Sequence, residues 1–196
     1  MNVGRYMQSR AVTVAPDAPV SSARDLMEEH GYGLLLVVSE EGVLVGFVTR
    51  AGLKEITDWE APVRRFSHPA TFAVAPEDTL EKAALILLAN RLVVLPVVHE
   101  EKLVGVITQG ELLKGLTRGL GIGLEAMRLT VTVRKDSEDL YDVFAVLREH
   151  GARIVSLTQA GPEDGQRQIV LRIQGVDDEE KEKLRSDLET TLKSGR

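Results

Sequence analysis

Apolar positions in the first 118 residues follow one pattern twice. VTVAPDAPV at 12–20 and FAVAPEDTL at 72–80 each read as an extended segment closing on Pro and an acid. Helical spacing comes next. Val20, Ala23, Leu26 and Met27 make one apolar stripe, with Ser21, Arg24, Asp25, Glu28 and Glu29 on the other side. Leu80, Ala83, Ala84, Leu87 and Leu88 make the counterpart, with Asp78 or Thr79 placed to cap it. Gly31 is positioned to stop the first helix just after His30. Two short β-rich runs follow in each copy, LLLVV and VLVGFV, then VVLPVV and LVGVIT. Their continuous apolar character predicts strands buried on both faces. A short helix is expected after each pair, over AGLKEI and GELLKGL. The unit is β-α-β-β-α, used twice.

The copies lie 60 residues apart at Pro16 and Pro76 but 59 apart at Gly46 and Gly105. The second has lost one residue in the turn, where SEEGVLVG becomes HEEKLVG. A deletion confined to a turn leaves the flanking strands intact, as a structural repeat requires. Each copy closes on Gly, two apolar residues and Thr: GFVT at 46–49 and GVIT at 105–108. Three places after Thr they part, with Gly52 in the first and Glu111 in the second.

Glycine then punctuates the chain at 115, 119, 121 and 123, and residues 119–127 read as a flexible or tightly turning connector. Beyond it LTVTV is a strand. A helix with the stripe Leu140, Val143, Phe144 and Leu147 stops at Gly151. ARIVSLTQA and RQIVLRIQG are strands joined around a GPEDG hairpin turn. A last helix starts near Asp177 and aligns Leu184, Leu188 and Leu192. This is β-α-β-β-α a third time in an unrelated sequence. The expected organisation is repeat 1 at 1–60, repeat 2 at 61–118 and a further domain at 128–196, ending at Arg196 with no closing strand.

Composition narrows the function. The hydrophobic fraction of 43% and charged fraction of 28% are ordinary for a globular protein. A net charge of −6 argues against nucleic acid or an anionic membrane as partner. The absence of cysteine removes disulfides, thiolate metal sites and a thiol nucleophile, and suits the cytoplasm. No apolar run approaches the roughly 20 residues of a membrane span, and MNVGRYMQSR lacks a signal-peptide core. The expectation is a soluble, cytoplasmic chain.

Candidate chemistry is sparse. GIGLEA at 121–126 matches a loose dinucleotide pattern, but a helix precedes it and a strand follows, the wrong order. His30 and His150, each in EHG at a helix end, are expected to be solvated there and not to bind metal. Arg64, Arg65 and His68 between the repeats suit either phosphate contact or a solvated linker. Glu179 and Lys183 should pair on an exposed helix face. No GxSxG signature accompanies any Ser, His and Asp grouping. Neither a catalytic centre nor a metal site is expected.

The doubled unit, with Gly-apolar-apolar-Thr closing each copy and an acid three places on in the second, resembles the tandem CBS-domain pair over residues 1–118. VAPD and VAPE, LPVV at 95–98, GFVT and GVIT carry the resemblance. The last β-α-β-β-α part is similar to an ACT domain, a ferredoxin-like regulatory unit. Together they resemble the acetoin utilisation protein AcuB family, α+β throughout. The resemblance implies a regulator and not an enzyme. It would sense AMP, ADP, ATP or an S-adenosyl ligand and require no cofactor. It also implies site residues. Thr108 would sit near ribose and phosphates, and Glu111, where the family usually has Asp, would accept from the ribose hydroxyls. A carboxylate suits a vicinal diol because it offers two acceptors and no competing donor. Adenine would enter between Thr71, Ala73 and Val74 and the strand edge Leu92, Val94, Leu95 and Pro96. Pro96 would mark that strand's start or edge. A weaker first site would comprise Thr13, Val14, Tyr32, Leu34, Thr49 and Arg50, since Gly52 has nothing to offer a ribose. The residues alone also allow Thr108 and Glu111 to be plain helix-capping groups.

The ACT resemblance departs from its pattern at RKDSEDL, where Asp136 remains but Ser137, Glu138 and Asp139 replace the expected turn, the two acids adding negative charge. Amino-acid binding is therefore not expected there. The expected partners are a second copy of the chain and an unidentified regulated protein. AALILLA at 83–89 is apolar beyond one face, so Leu85, Ile86 and Leu88 would make an exposed patch suited to a homodimer. Two rival readings stand beside the CBS ligand sensor: a constitutive scaffold without ligand, and a small-molecule sensor centred on the ACT-like part.

Overall fold

The computed structural model describes residues 1–163 and 165–194, with residues 160–163 and 194 described by their backbone alone. It divides into two compact units, Met1–Leu116 and Thr117–Arg196.

In the first repeat, β1 (Thr13–Val14) runs parallel to β2 (Leu34–Val38), which pairs antiparallel with β3 (Leu44–Thr49). Helix α1 (Val20–His30) lies between β1 and β2 and ends at Gly31, whose φ of 69° gives the left-handed turn that closes a helix. Val20, Ala23 and Met27 are buried, with Leu26 half-buried beside them. The second repeat reduces β1 to a single parallel bridge, Val74 to Val97. It continues with α2 (Leu80–Ala89), β4 (Val94–His99), β5 (Lys102–Thr108) and α3 (Gln109–Gly119). The Thr79 hydroxyl accepts from the Lys82 N–H and caps α2. Leu80, Ala83 and Leu87 are buried, but Leu88 is 72% exposed. It lies one residue past Leu87, about 100° around the helix, so it leaves the buried stripe. Both central strands, β2 and β4, are buried at their three middle residues, whereas Val45 of β3 faces outward.

The expected helix over AGLKEI is absent, and residues 50–55 form turns. Thr49 accepts the Gly52 N–H, but Gly52 has no side chain to return a bond. In the second repeat Glu111 bonds back to the Thr108 N–H at 3.2 Å, half of a capping box, and α3 follows for 11 residues. Among the differences between the two segments, Glu111 in place of Gly52 supplies this cap to α3.

Each repeat's leading segment packs into the core of the other. A 3-10 turn at Val3–Arg5 docks on the second repeat through Val3 N–H to Asp78 O and Gly4 N–H to Pro76 O, both 2.8 Å. Its equivalent at Val63–Arg65 docks on the first through Val63 N–H to Ala18 O and Arg64 N–H to Pro16 O, both 2.9 Å. Val3 is buried with Leu80, Leu87 and Leu95, and Val63 with Val20, Met27 and Leu35. The connector residues are placed accordingly: Arg64 pairs with Asp17, and His68 bridges Phe47.

Pro96 does not start a strand; it sits inside β4, opposite Val106, and β4 is an edge of its two-stranded sheet, the alternative expected for it. That pair needs no amide from it. Val106 directs both its backbone groups to Gln8, while the Pro96 carbonyl accepts the Val74 N–H at 3.0 Å.

The second unit contains β6 (Met127–Arg134), α4 (Asp139–Glu149), β7 (Arg153–Glu163), β8 (Gln166–Gln174) and α5 (Asp178–Ser194). Its strand order is β6-β8-β7, antiparallel throughout. This is the order of a ferredoxin-like sheet without a fourth strand. Leu129, Val131 and Val133 alternate inward to meet Val143, Leu147, Leu184 and Leu188. Within the expected GPEDG turn, Asp164 lies outside the described residues, as do Gly195 and Arg196 at the chain end. Two expectations fail here. Lys183 pairs with Glu180 at 3.6 Å instead of Glu179. His150 is not solvated: its side chain is 7% exposed, with Nδ1 3.0 Å from Glu180 and Nε2 3.0 Å from Asp187. Helix α5 covers it, a long-range placement that a helix-end pattern does not encode. Among the described residues, no helix is long and apolar enough to cross a membrane.

Candidate ligand cleft

A cleft of about 330 Å³ opens between the two repeats. The segment Gln8 to Val12 forms one wall, Tyr32, Gly33, Leu34 and Leu36 a second, and Val93, Val94, Val106 and Thr108 the third. Two local features allow this assembly. Gln8 pairs with Val106 in both directions, at 2.9 and 3.0 Å. Gly105 lets that backbone come close, because a Cβ there would lie 2.5 Å from the Gln8 carbonyl oxygen. The symmetric contact exists in the other repeat, where a Cβ on Gly46 would lie 2.3 Å from the His68 carbonyl oxygen.

At the Thr108 end of the cleft stands Glu111. Its Oε1 accepts from Gln8 Nε2 at 2.8 Å; its Oε2 accepts from the Thr108 N–H and the Thr108 hydroxyl. Desolvation pushes the Glu111 carboxyl up, but hydrogen bonds from Thr108 and Gln8 outweigh it and hold it below its ordinary value. The group is an anion at neutral pH. Arg10, on the wall formed by residues 8–12, supplies a cation and forms no ion pair among the described residues. The remaining surface is largely aliphatic, with Tyr32 stacked on His30 at the rim, ring centroids 5.5 Å apart. A largely apolar slot with one cation in its lining and one anion beside it suits a flat, polar-edged molecule. Among the described residues, no group of three potential metal ligands exists.

The residues expected around one ligand are distributed as follows. Val94 and Thr108 line this cleft, and Glu111 is bonded to Thr108. Tyr32 and Leu34, expected at the first site, line the same cleft. Thr13 and Val14 lie in β1, paired with Leu36 and Val37. Thr71 and Ala73 are exposed, Val74 is buried against Val97, and Leu95 and Pro96 are buried in β4. The Leu92 carbonyl accepts from Gln109 Nε2 at 3.1 Å. Thr49 caps Gly52. Arg50 donates to the carbonyls of Met27 at 2.7 Å and Tyr32 at 2.8 Å, closing the end of α1. Sequence reasoning missed Gln8, Arg10, Ala11 and Val12. The repeat offset maps Thr71–Val74 onto residues 11–14, so a signal existed. It did not say that the first repeat's leading segment faces the second repeat's Thr.

Residues 3–56 and 63–118 match the model of the CBS domain. Inosine-5'-monophosphate dehydrogenase of Methanocaldococcus jannaschii is 38% identical over 105 residues, 53% of this chain and 21% of that protein. The CBS domain-containing protein YhcV of Bacillus subtilis is 30% identical over 111 residues, 54% of this chain and 79% of that one. The chain therefore spans about a fifth of the dehydrogenase's length. Among solved structures, CBSX2 in complex with AMP has 27% identity and a TM-score of 0.54, covering 60% of this chain and 96% of that one. A CBS domain pair/ACT domain protein from Thermotoga maritima has 26% identity and a TM-score of 0.57, covering 61% and 99%. A Vibrio cholerae protein assigned to acetoin utilization (AcuB) shares the fold, with 23% identity and a TM-score of 0.57 over 65% and 98%. With the matched segments making up more than half of its length, the chain belongs to the CBS-domain family and carries that domain twice.

Proposed function

We propose that this protein is a non-enzymatic regulator whose CBS pair senses an adenosyl ligand, AMP, ADP, ATP or an S-adenosyl compound, in the inter-repeat cleft. The observation that carries this reading is the cleft's composition: aliphatic walls for a purine, the Thr108 and Glu111 pair for a ribose, and Arg10 for a phosphate. CBSX2, solved with AMP, supports it at 27% identity. Binding would shift the balance between two arrangements of the pair, read by an unidentified protein. Leu85 and Leu88, 69% and 72% exposed on α2, support a homodimer. The β-α-β-β-α order of the second unit supports an ACT-like role in pairing, without an amino-acid ligand, because Asp136 and Glu138 are exposed beside its first loop. A chain free of cysteine fits the cytoplasm.

One observation favours the scaffold instead. The bonds from Thr108 and Gln8 already satisfy Glu111 without any ligand. Calorimetry of the full chain against AMP, ADP, ATP and S-adenosylmethionine decides between them. The sensor gives saturable heat with at least one member, and the scaffold gives none.

A further inference from the structure

The Glu111 carboxylate would have to accept two hydroxyl donors to hold a vicinal diol. In this structure three of the carboxylate's roughly four acceptor sites are taken, so at most one hydroxyl can be accepted while those bonds hold. Oε2 is engaged by the helix cap at Thr108, and Oε1 by Gln8, a residue 103 positions away. The cap belongs to the fold of α3. The Gln8 contact does not, since α3 needs no amide at that oxygen.

Repeat symmetry isolates what Gln8 adds. Its equivalent, His68, docks on Phe47 through the same pair of backbone hydrogen bonds, at 2.9 and 2.8 Å, over Gly46. Opposite it stands Gly52, with no carboxylate to meet, and the imidazole lies against the Phe47 ring, centroids 5.7 Å apart. Backbone docking is therefore common to both repeats. The side-chain bond to an acid occurs only where the acid exists. Gln8 is exposed, so its amide has water as an alternative partner and can leave without stranding a buried donor.

We infer that Gln8 is a latch: it holds the diol-binding carboxylate of Glu111 closed in the free protein, and a ligand must displace its amide to bind. This rests on the reading of the cleft as an adenosyl site. Gln8 heads the segment that also carries Arg10, Ala11 and Val12, one whole wall of the cleft. Release of the amide is thus felt along that wall, and the latch links occupancy of the site to the position of the segment joining the two repeats.

The test is calorimetry with AMP on the full chain, comparing wild type, Gln8→Ala, Gln8→Met and Glu111→Ala, with the side-chain amide signal of Gln8 followed by NMR. An intramolecular hydrogen bond to an ionised carboxylate that must break on binding lowers affinity about ten- to a hundredfold. Gln8→Ala and Gln8→Met should therefore both bind AMP about ten- to a hundredfold more tightly than wild type, while Glu111→Ala binds more weakly. The Gln8 amide signal should move on saturation. If wild type binds AMP and both Gln8 variants bind equally or less well, the latch is wrong and the cleft reading stands. If neither wild type nor the Gln8 variants bind AMP, the latch on AMP is wrong, and the cleft reading falls with it when ADP, ATP and S-adenosylmethionine give no heat either.

Discussion

Replacing Gly105 with Ala tests whether the leading segment is held on β5 by close backbone approach. Two effects of opposite sign compete. In a strand interior, Ala recovers roughly 0.5–1 kcal/mol over Gly through reduced unfolded-state entropy. Against it, the new Cβ would lie 2.5 Å from the Gln8 carbonyl oxygen and 3.0 Å from Met7 Sδ. The sulfur can swing aside, but the oxygen is main chain. Restoring ordinary contact means withdrawing the segment by about 1 Å, enough to forfeit much of a van der Waals well and of a well-aligned hydrogen bond. The two bonds between Gln8 and Val106, 2.9 and 3.0 Å long, are then lost. At about 0.5–1.5 kcal/mol each, with overpacking adding about 1–3 kcal/mol, the penalty exceeds the entropic gain. We expect a net destabilisation of about 1–5 kcal/mol. Urea unfolding followed by the fluorescence of Trp59, the single tryptophan and part of the first unit, reads this directly. Amide exchange at Gln8 and Val106 should quicken selectively. Gly110→Ala is the control: its Cβ would lie 3.5 Å from Thr108 Oγ1, an ordinary contact inside α3, so it should stabilise by about 0.5 kcal/mol. If Gly105→Ala proves as stable as Gly110→Ala, the segment is not held as described.

Glu111→Ala should weaken an adenosyl ligand by about 1.5–3 kcal/mol, the range for hydrogen bonds to a charged group, while Thr49→Ala changes affinity little; isothermal titration of both checks this. In the second unit, Arg134 beside Asp139, together with the Arg134 and Ser137 hydrogen bonds, holds the Asp139 carboxyl well below the carboxylate range. A depressed folded-state pKa stabilises above the ordinary value near 3.8, and this is lost as pH falls below it. Asp139→Asn should therefore lower stability at pH 7 and flatten the acid limb in urea titrations between pH 5 and pH 2; unchanged acid sensitivity would count against the pair. Light scattering should give about twice the 21.5 kDa chain mass, falling to a monomer in Leu85→Asp/Leu88→Asp. Free amino acids should leave the melting temperature of the full chain unchanged, and a concentration-dependent rise with one of them would restore the ACT-centred sensor.

Periodicity and duplication in the sequence determined the strands, the doubled unit and the helices other than the one expected over AGLKEI, because each depends on contacts among residues a few positions apart. Val20, Ala23 and Met27, or Leu80, Ala83 and Leu87, share a face whatever they pack against. The contrast of Gly52 with Glu111 was also legible, and it gives α3 a cap that its counterpart lacks. Which core receives Val3 and which receives Val63 was not legible. Two segments with the same pattern, 60 residues apart, satisfy burial equally well in their own repeat or in the other. Only the tertiary structure chose the exchange, through backbone bonds such as Val3 to Asp78 and Val63 to Ala18. That choice set Gln8, Arg10, Ala11 and Val12 against Thr108 and left Thr71 and Ala73 outside the cleft. His150 teaches the same lesson in the second unit. At the end of α4 its sequence context suits solvent, but α5 brings Glu180 and Asp187 to its two ring nitrogens. Local pattern records which residues want a partner, whereas packing of distant segments decides which partner they get.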